Sequence, residues 1–369
     1  MKVLAERAVA MAKASPEDPF ACLADEADLS HDHPDLGLYD PTEVSTAQLT
    51  DAALDMETAA LAVQGVTNSA GAGATASMGG LVLVTSHGFS GAYMATRFGR
   101  GISVIAGEGT RMERDYDGDS RLHFADLDGA AEIGRKAAER AVKRLNPRKA
   151  DTGSGLTVIY DPRTSRGLVS HIASAINGAA IARKTSFLQD RMGEQILRRG
   201  LVISDNPLIY KGPASRPFDG EGVQGEPMLM VEDGILRHWF LATSAAHELG
   251  LKTNGRGARG GTSVSPTSTN MALEPGDSTP EDMIKSVKNG FYVTEMIGHG
   301  ANLVTGEYSR GASGFWIENG ELTYPVSEVT IASNMKDMFL SMIPANDVDR
   351  KYATAAPTIM IENMTIAGK

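Results

Sequence analysis

One helix-patterned stretch, set among β-patterned ones, governs what this chain can fold into. Ser165 to Gly193 reads SRGLVSHIASAINGAAIARKTSFLQDRMG, and its first half places Leu168, Ile172, Ala175, Ile176 and Ala179 on one stripe at helical spacing. Such a stripe has to be covered by other elements. The covering segments read as strands. LTVIYDP precedes the helix, and two hairpins follow, centred on Asp233-Gly234 within Met228–Phe240 and on Asn319-Gly320 within Phe315–Val326. The expected class is therefore α+β, with an N-terminal sheet-plus-helices domain and a larger β-rich, barrel-like domain carrying this helix. A single histidine, His171, sits at the edge of the stripe and raises the question of a metal.

The chain before this helix supplies the first domain. Residues 2–14 read as an amphipathic helix stopped by Ser15-Pro16, and this abrupt start suggests a missing upstream segment. A second helix spans Thr46–Val63, with Leu49, Ala53, Met56, Ala60 and Val63 facing inward. Gly65–Gly107 reads as β, in short pieces joined by glycine turns. The chain holds 40 glycines, which favours hairpins over a helical bundle. Gly71, Gly73, Gly79 and Gly80 match neither a phosphate loop nor a dinucleotide fingerprint. Asp115, Asp117 and Asp119 with Asp126 echo a calcium loop. Ser120 stands where that loop needs glycine, so a turn between two elements is expected. A helix over 128–145 ends at Asn146-Pro147, and the polar RKADTGSG after it divides the chain into domains 1–150 and 151–369. Farther on, Lys252–Asn270 reads as a long polar loop. Ser278 and Glu281 have capping-box spacing at a helix start, and PTIMIENMTI is a final strand.

Charge and cysteine usage exclude several functions. A net charge of −11 repels phosphate backbones, so no nucleic-acid partner is expected. The basic cluster Arg135–Arg148 reads as a solvated helix face. The one cysteine, Cys22, permits no intrachain disulfide. No run approaches the ~18 apolar residues of a membrane span, so no membrane partner and a cytoplasmic location are expected. Among the eight histidines, His31-Asp32-His33 with Asp35 lies on an irregular connector. His247-Glu248 lacks a second zinc-protease histidine, since Leu251 stands there. No G-x-S-x-G elbow is present. Local motifs alone identify no active site.

Longer segments say more. TVIYDPRTSRGLVSHIASAINGAA, SRPFDGEG, SPTSTNMALEPGDSTPEDMIKSVKNGFYVTEMIG, GEYSRGASGFWIENGELTYPVSE and APTIMIENMTIAG resemble, in order, the TldD/PmbA family, in its TldE (PmbA) branch. The resemblance implies a paired metallopeptidase. In the TldD branch a helix carries H-E-x-x-x-H, two histidines binding zinc and a glutamate acting as base, and a C-terminal loop supplies a cysteine as third ligand. Ligands five residues apart lie about 140° apart on an ideal helix, so such a site needs a local bulge. Here His171 stands at the first ligand, Ile172 at the base and Ile176 at the second ligand. The cysteine loop, expected between Asp347 and Pro357, reads DVDRKYATAAP without cysteine. The substitutions also imply a plain helix, with Ile172 and Ile176 together on its packed face.

The resemblance thus implies a zinc-free TldE-type subunit with no catalytic residue and no metal of its own. A TldD-type partner would supply zinc and catalysis for hydrolysis of small or unfolded peptides. A homodimer of the isolated chain is an alternative assembly. Candidate peptide or partner contacts are the Lys252–Asn270 loop and the Gly306–Gly314 segment, with Arg310, Ser309 and Glu307. A non-enzymatic, protein-binding modulator is the competing function, because the family has also been labelled a modulator of DNA gyrase.

Overall fold

The computed structural model describes residues 2–368. Its N-terminal part contains α1 (Lys2–Ala14), α2 (Thr46–Leu61), β1 (Val66–Val84), β2 (Ser90–Ala106), β3 (Glu113–Arg121) and α3 (Ala130–Lys143). The three strands form an antiparallel sheet in the order β1-β2-β3. α2 starts at a capping box, Ser45 accepting from the Gln48 N–H while the Gln48 side chain accepts from the Ser45 N–H. Met56 and Ala60 of α2 and Ile133, Ala137, Ala138 and Ala141 of α3 then pack on Ile102, Val104 and Ala106 of β2. The β1–β2 hairpin outruns these helices. Its far end, with Leu83 and Phe89, packs on Phe218 and Val223 from the second half of the chain.

The C-terminal part begins with β4 (Gly153–Tyr160), α4 (Pro162–Ala175), α5 (Gly178–Ala182), β5 (Ile203–Asn206), β6 (Met228–Glu232), β7 (Ile235–Leu236) and α6 (Thr243–Glu248). It continues through β8 (Gly257–Gly260), β9 (Ser263–Pro266), β10 (Asn270–Leu273), α7 (Pro280–Ser286), β11 (Asn289–Ile297), β12 (Glu307–Glu318) and β13 (Glu321–Asn334). It ends with α8 (Met335–Ser341), β14 (Ile343–Pro344), β15 (Thr354–Ala355) and β16 (Ile359–Ala367). One sheet runs β13-β12-β11-β4-β16-β14, and the added pairing of β13 with β16 closes five of its strands into a barrel. A second sheet runs β15-β10-β5-β6-β7.

α4 joins the two sheets. Leu168, Val169, Ile172 and Ile176 share one core with Val158, Phe291 and Ala312 of the barrel and Ile203, Val231 and Met271 of the second sheet. Burial stabilises by about 1.5–3 kcal/mol for each such side chain, which makes this helix a principal anchor of the C-terminal part. The α+β class and the barrel agree with the sequence expectation. Both hairpin signals do too, with positive φ at Asp233 and Gly234 and at Asn319 and Gly320.

Other expectations need correction. The Ser165 helix does not run through Ala179. It ends at Ala175, with Ile176 as its cap, and α5 restarts where the Asn177 side chain accepts from the Ala179 N–H. The β1–β2 region is one long hairpin rather than several short pieces, because Gly71 accommodates a bulge instead of a turn. Residues 113–121 are a strand. Residues 252–270 contain the β8–β9 hairpin. α7 is capped by Thr279, which accepts from the Asp282 N–H, and not by Ser278 with Glu281. Arg144 leaves the expected solvated face of α3 and is buried among carboxylates.

Candidate functional site

α4 opens with Asp161 as its N-cap, accepting from the Thr164 N–H at 2.8 Å, and with Pro162 in the first turn. Three turns later it presents half-buried His171. The imidazole meets the Tyr308 ring edge-on at 6.1 Å between centroids, and its Nε2 is buried without a hydrogen-bond partner among the described residues. Arg310 lies beside it, its own Nε also buried and unpartnered. Desolvation, and then the Arg310 charge, push the His171 pKa below the ordinary imidazole value. Ile172 and Ile176 are fully buried and contribute only carbon.

Zinc does not fit this donor set. A zinc site needs three or four N, S or O ligands. His171 is one neutral imidazole flanked by two isoleucines and a guanidinium that repels a cation. Among the described residues, no group of three or more His, Cys, Asp or Glu side chains is placed to hold a metal ion. His31-Asp32-His33 follows the same logic. His33 packs on Phe89 and Phe218, with centroids 5.7 and 4.8 Å away, and the exposed His31 is not part of any such group. Asp115 and Asp119, from the calcium-like run, are buried in ion pairs with arginines.

The three candidate contact residues on β12 separate by strand alternation. Tyr308 and Arg310 lie toward His171, whereas Glu307 and Ser309 are exposed. Within 252–270, Arg256 is fully buried. Its Nε donates to Asp205 at 2.7 Å, its Nη1 to the Asn254 carbonyl at 2.7 Å and its Nη2 to the Glu226 carbonyl at 2.7 Å. This arginine is structural.

A concavity lies between the N-terminal part and the N-terminal turns of α4. It is a cleft of about 480 Å³ bordered by α3, α4, β11 and the 347–356 loop. That loop, expected to correspond to the family's cysteine loop, does come back to α4, where the Arg166 guanidinium carbon lies 3.6 Å from the Tyr352 ring centroid. An ionic network extends from Arg163 in the cleft lining. Asp115 pairs with Arg163 at 2.7 Å and with Arg144 at 3.4 Å, and Arg144 also pairs with Glu295.

Every carboxylate lining the cleft is engaged. Arg140 holds Asp117 at 2.8 Å, Lys351 holds Asp128 and Asp349 at 3.3 and 3.5 Å, Arg163 holds Asp161 at 3.2 Å, and Asp347 accepts from Thr358. Sequence reasoning missed Arg163 and Arg166. Their spacing of three in YDPRTSRG, just inside a capped helix, was the available signal.

A thiol–imidazole pair lies elsewhere, with Cys22 Sγ 3.9 Å from His247 Nδ1. Desolvation and the carboxylates of Glu221, Asp25 and Asp18 raise the Cys22 pKa. The sulfur is held as a thiol, the opposite of an activated nucleophile.

Comparison with known proteins matches residues 39–145 to the PmbA/TldA metallopeptidase central domain and residues 152–368 to the PmbA/TldA metallopeptidase C-terminal domain. The chain is 38% identical over 366 residues to the metalloprotease PmbA of Escherichia coli O157:H7, covering 99% of this chain and 79% of that protein. A Bacteroides thetaiotaomicron structure described as a candidate modulator of DNA gyrase superposes with a TM-score of 0.88 at 29% identity, over 97% of this chain and 80% of that one. TldE from Thermococcus kodakarensis has the same fold, with a TM-score of 0.83 at 23% identity, over 98% of this chain and 83% of that one.

Proposed function

Because the chain belongs to the PmbA/TldA metallopeptidase family, we propose that it is the zinc-free, TldE-type member of a TldD/TldE pair that processes or degrades small or unfolded peptides. The observation that carries this reading is the surroundings of His171. A lone imidazole beside Arg310, with isoleucine at 172 and 176, cannot assemble a metal-bound water or a base. Zinc, base and nucleophilic water then belong to a TldD-type partner, and this chain supplies contact surface and part of the peptide enclosure. In this reading residues 1–150 and 151–369 act as two domains flanking the cleft, in a cytoplasmic setting. Extended peptide is bound through its backbone, as strands are added to sheet edges.

Hydrolysis of an unstructured peptide tests the reading, using this chain alone, the TldD-type chain alone, and both together. Cleavage is expected from the mixture and lost on chelation. Chelator-sensitive cleavage by the lone chain overturns it. The oligomeric mass of the isolated chain settles whether it self-associates as a homodimer. A second reading, a protein-binding modulator, draws on the description of the Bacteroides relative. The charge of −11 directs such binding toward protein rather than DNA. Capture of a gyrase subunit in place of a TldD-type chain would favour that reading.

A further inference from the structure

We propose that the cleft between α3 and α4 is a subsite for the C-terminal carboxylate of an extended peptide, with Arg166 as its anchor. The inference rests on the reading of this chain as a peptide-handling subunit and adds a chemical specificity to it.

The first support is electrostatic. In a chain of net charge −11, this cleft carries cations in excess of demand. All its carboxylates are engaged, as described above, and Lys136 is occupied by Glu132 at 2.6 Å. Arg166 and Lys143 have no carboxylate partner among the described residues. The single hydrogen bond from the Arg166 side chain runs from Nε to the Pro162 carbonyl at 3.2 Å, on its own helix. Its two terminal nitrogens remain available. The Thr294 hydroxyl, also in the lining, is buried with no partner among the described residues.

The second support is preorganisation. Stacking on Tyr352 fixes the plane of the guanidinium, so its fork can meet a carboxylate with two parallel N–H···O bonds at little further entropic cost.

The third is shape. Asp117, Arg163, Arg166 and Tyr352 also border a second groove of about 440 Å³, so the two cavities adjoin at Arg166. The floor of that groove is Gly71, Gly101 and Gly118, one from each strand of the N-terminal sheet, and Gly101 is paired with Gly118. A Cβ built on Gly71 meets nothing within 4 Å, so open space lies above it. Glycine on neighbouring strands is what a close backbone approach requires. An extended peptide can lie along this floor and end with its carboxylate on Arg166.

The test uses three versions of one unstructured peptide: free acid, C-terminal amide, and amide with Asp as last residue. Binding to the isolated chain is measured by calorimetry, and KM with the TldD-type partner by cleavage. The free acid is expected to bind about tenfold or more tightly than the amide, as for a charge-assisted bidentate contact. Arg166→Gln should erase that preference at a near-native unfolding midpoint, and Arg166→Lys should restore part of it. Equal binding of acid and amide by the wild-type chain overturns the inference while leaving the proposed function standing if the pair still cleaves both. Retention of the preference in Arg166→Gln overturns the assignment to Arg166. Tight binding of the amidated Asp peptide overturns the assignment to the chain terminus. Should the pair cleave nothing, the functional reading fails, and the calorimetric comparison on the isolated chain still decides the subsite.

Discussion

The ion pair Arg256–Asp205 allows a stability prediction with few adjustable parts. Both side chains are fully inaccessible to solvent, with Arg256 Nε 2.7 Å from Asp205 Oδ1. The carboxylate also accepts from the Thr269 N–H and hydroxyl at 2.7 Å each, so Asp205 fixes the end of the 252–270 segment against β5. Opposite charges about 4 Å apart attract by about 4 kcal/mol at an effective dielectric near 20. Asp205→Ala removes that attraction and leaves a guanidinium and the Thr269 N–H buried and short of partners. Breaking a buried pair from one side costs about 3–5 kcal/mol. Against a total stability of about 5–15 kcal/mol this is a large fraction. With a urea slope of about 3 kcal/mol/M, the midpoint should fall by roughly 1–2 M. The apolar double replacement Asp205→Leu/Arg256→Met takes the two charges away together and should recover most of the loss. A single variant within about 1 kcal/mol of wild type, or a double variant no better than the single, refutes the reasoning.

His171 should make the protein acid-sensitive. Its folded pKa lies below the unfolded value of about 6.5, so as pH falls through that region the unfolded chain takes up a proton that the folded chain refuses, and stability drops. His171→Phe should reduce the slope of the stability profile between pH 7 and 5, with the lowered pKa of His238 supplying part of what remains, and an unchanged slope would count against the assigned burial. Gly134→Ala places a Cβ inside contact distance of the Met56 carbonyl, forcing α3 off α2, with an expected loss of about 1–3 kcal/mol by thermal or urea unfolding. Cys22, with its pKa raised among carboxylates, should alkylate more slowly at pH 7 than a free thiol, and rapid labelling that abolishes peptide cleavage would reopen a thiol mechanism. Ile172→Glu with Ile176→His should lose several kcal/mol by burying polar groups in an apolar core, without gaining zinc in equilibrium dialysis. Stoichiometric zinc in a stable double variant would refute that account.

What was legible in the sequence was local. Asp233-Gly234 and Asn319-Gly320 announce their hairpins because both residues of each turn need positive φ, which these residue types tolerate. The apolar stripe of α4 announces a buried helix because periodicity is a property of neighbours. The end of that helix was written in Asn177-Gly178, a cap followed by a glycine whose Cβ would crowd the Phe240 carbonyl, but the apolar residues on either side masked it. What was not legible was non-local. Closure of the barrel depends on Thr330–Ala332 finding Thr365–Ala367, and no turn encodes that pairing. Arg144 and Arg256 read as surface charges because their carboxylate partners sit far away along the chain.

The candidate site divides along the same line, and the division has a consequence for mechanism. Around His171 the isoleucines at 172 and 176 are readable residue by residue, because their side chains supply only carbon wherever the helix packs. The groups that the cleft offers instead could not be read that way. Arg166 becomes a directed cation only when Tyr352 arrives from the 347–356 loop, and its charge is free only because Arg140, Arg163 and Lys351 take up the neighbouring carboxylates. The same helix therefore carries two separable features. Its C-terminal half sets apolar residues beside the Arg310 guanidinium of β12, where a metal would need donors, and its N-terminal turns hold a cation in reserve. If, as proposed, the activation of water belongs to a partner, this chain can still decide which peptides are held beside that partner. On this argument its contribution should be read in KM rather than kcat.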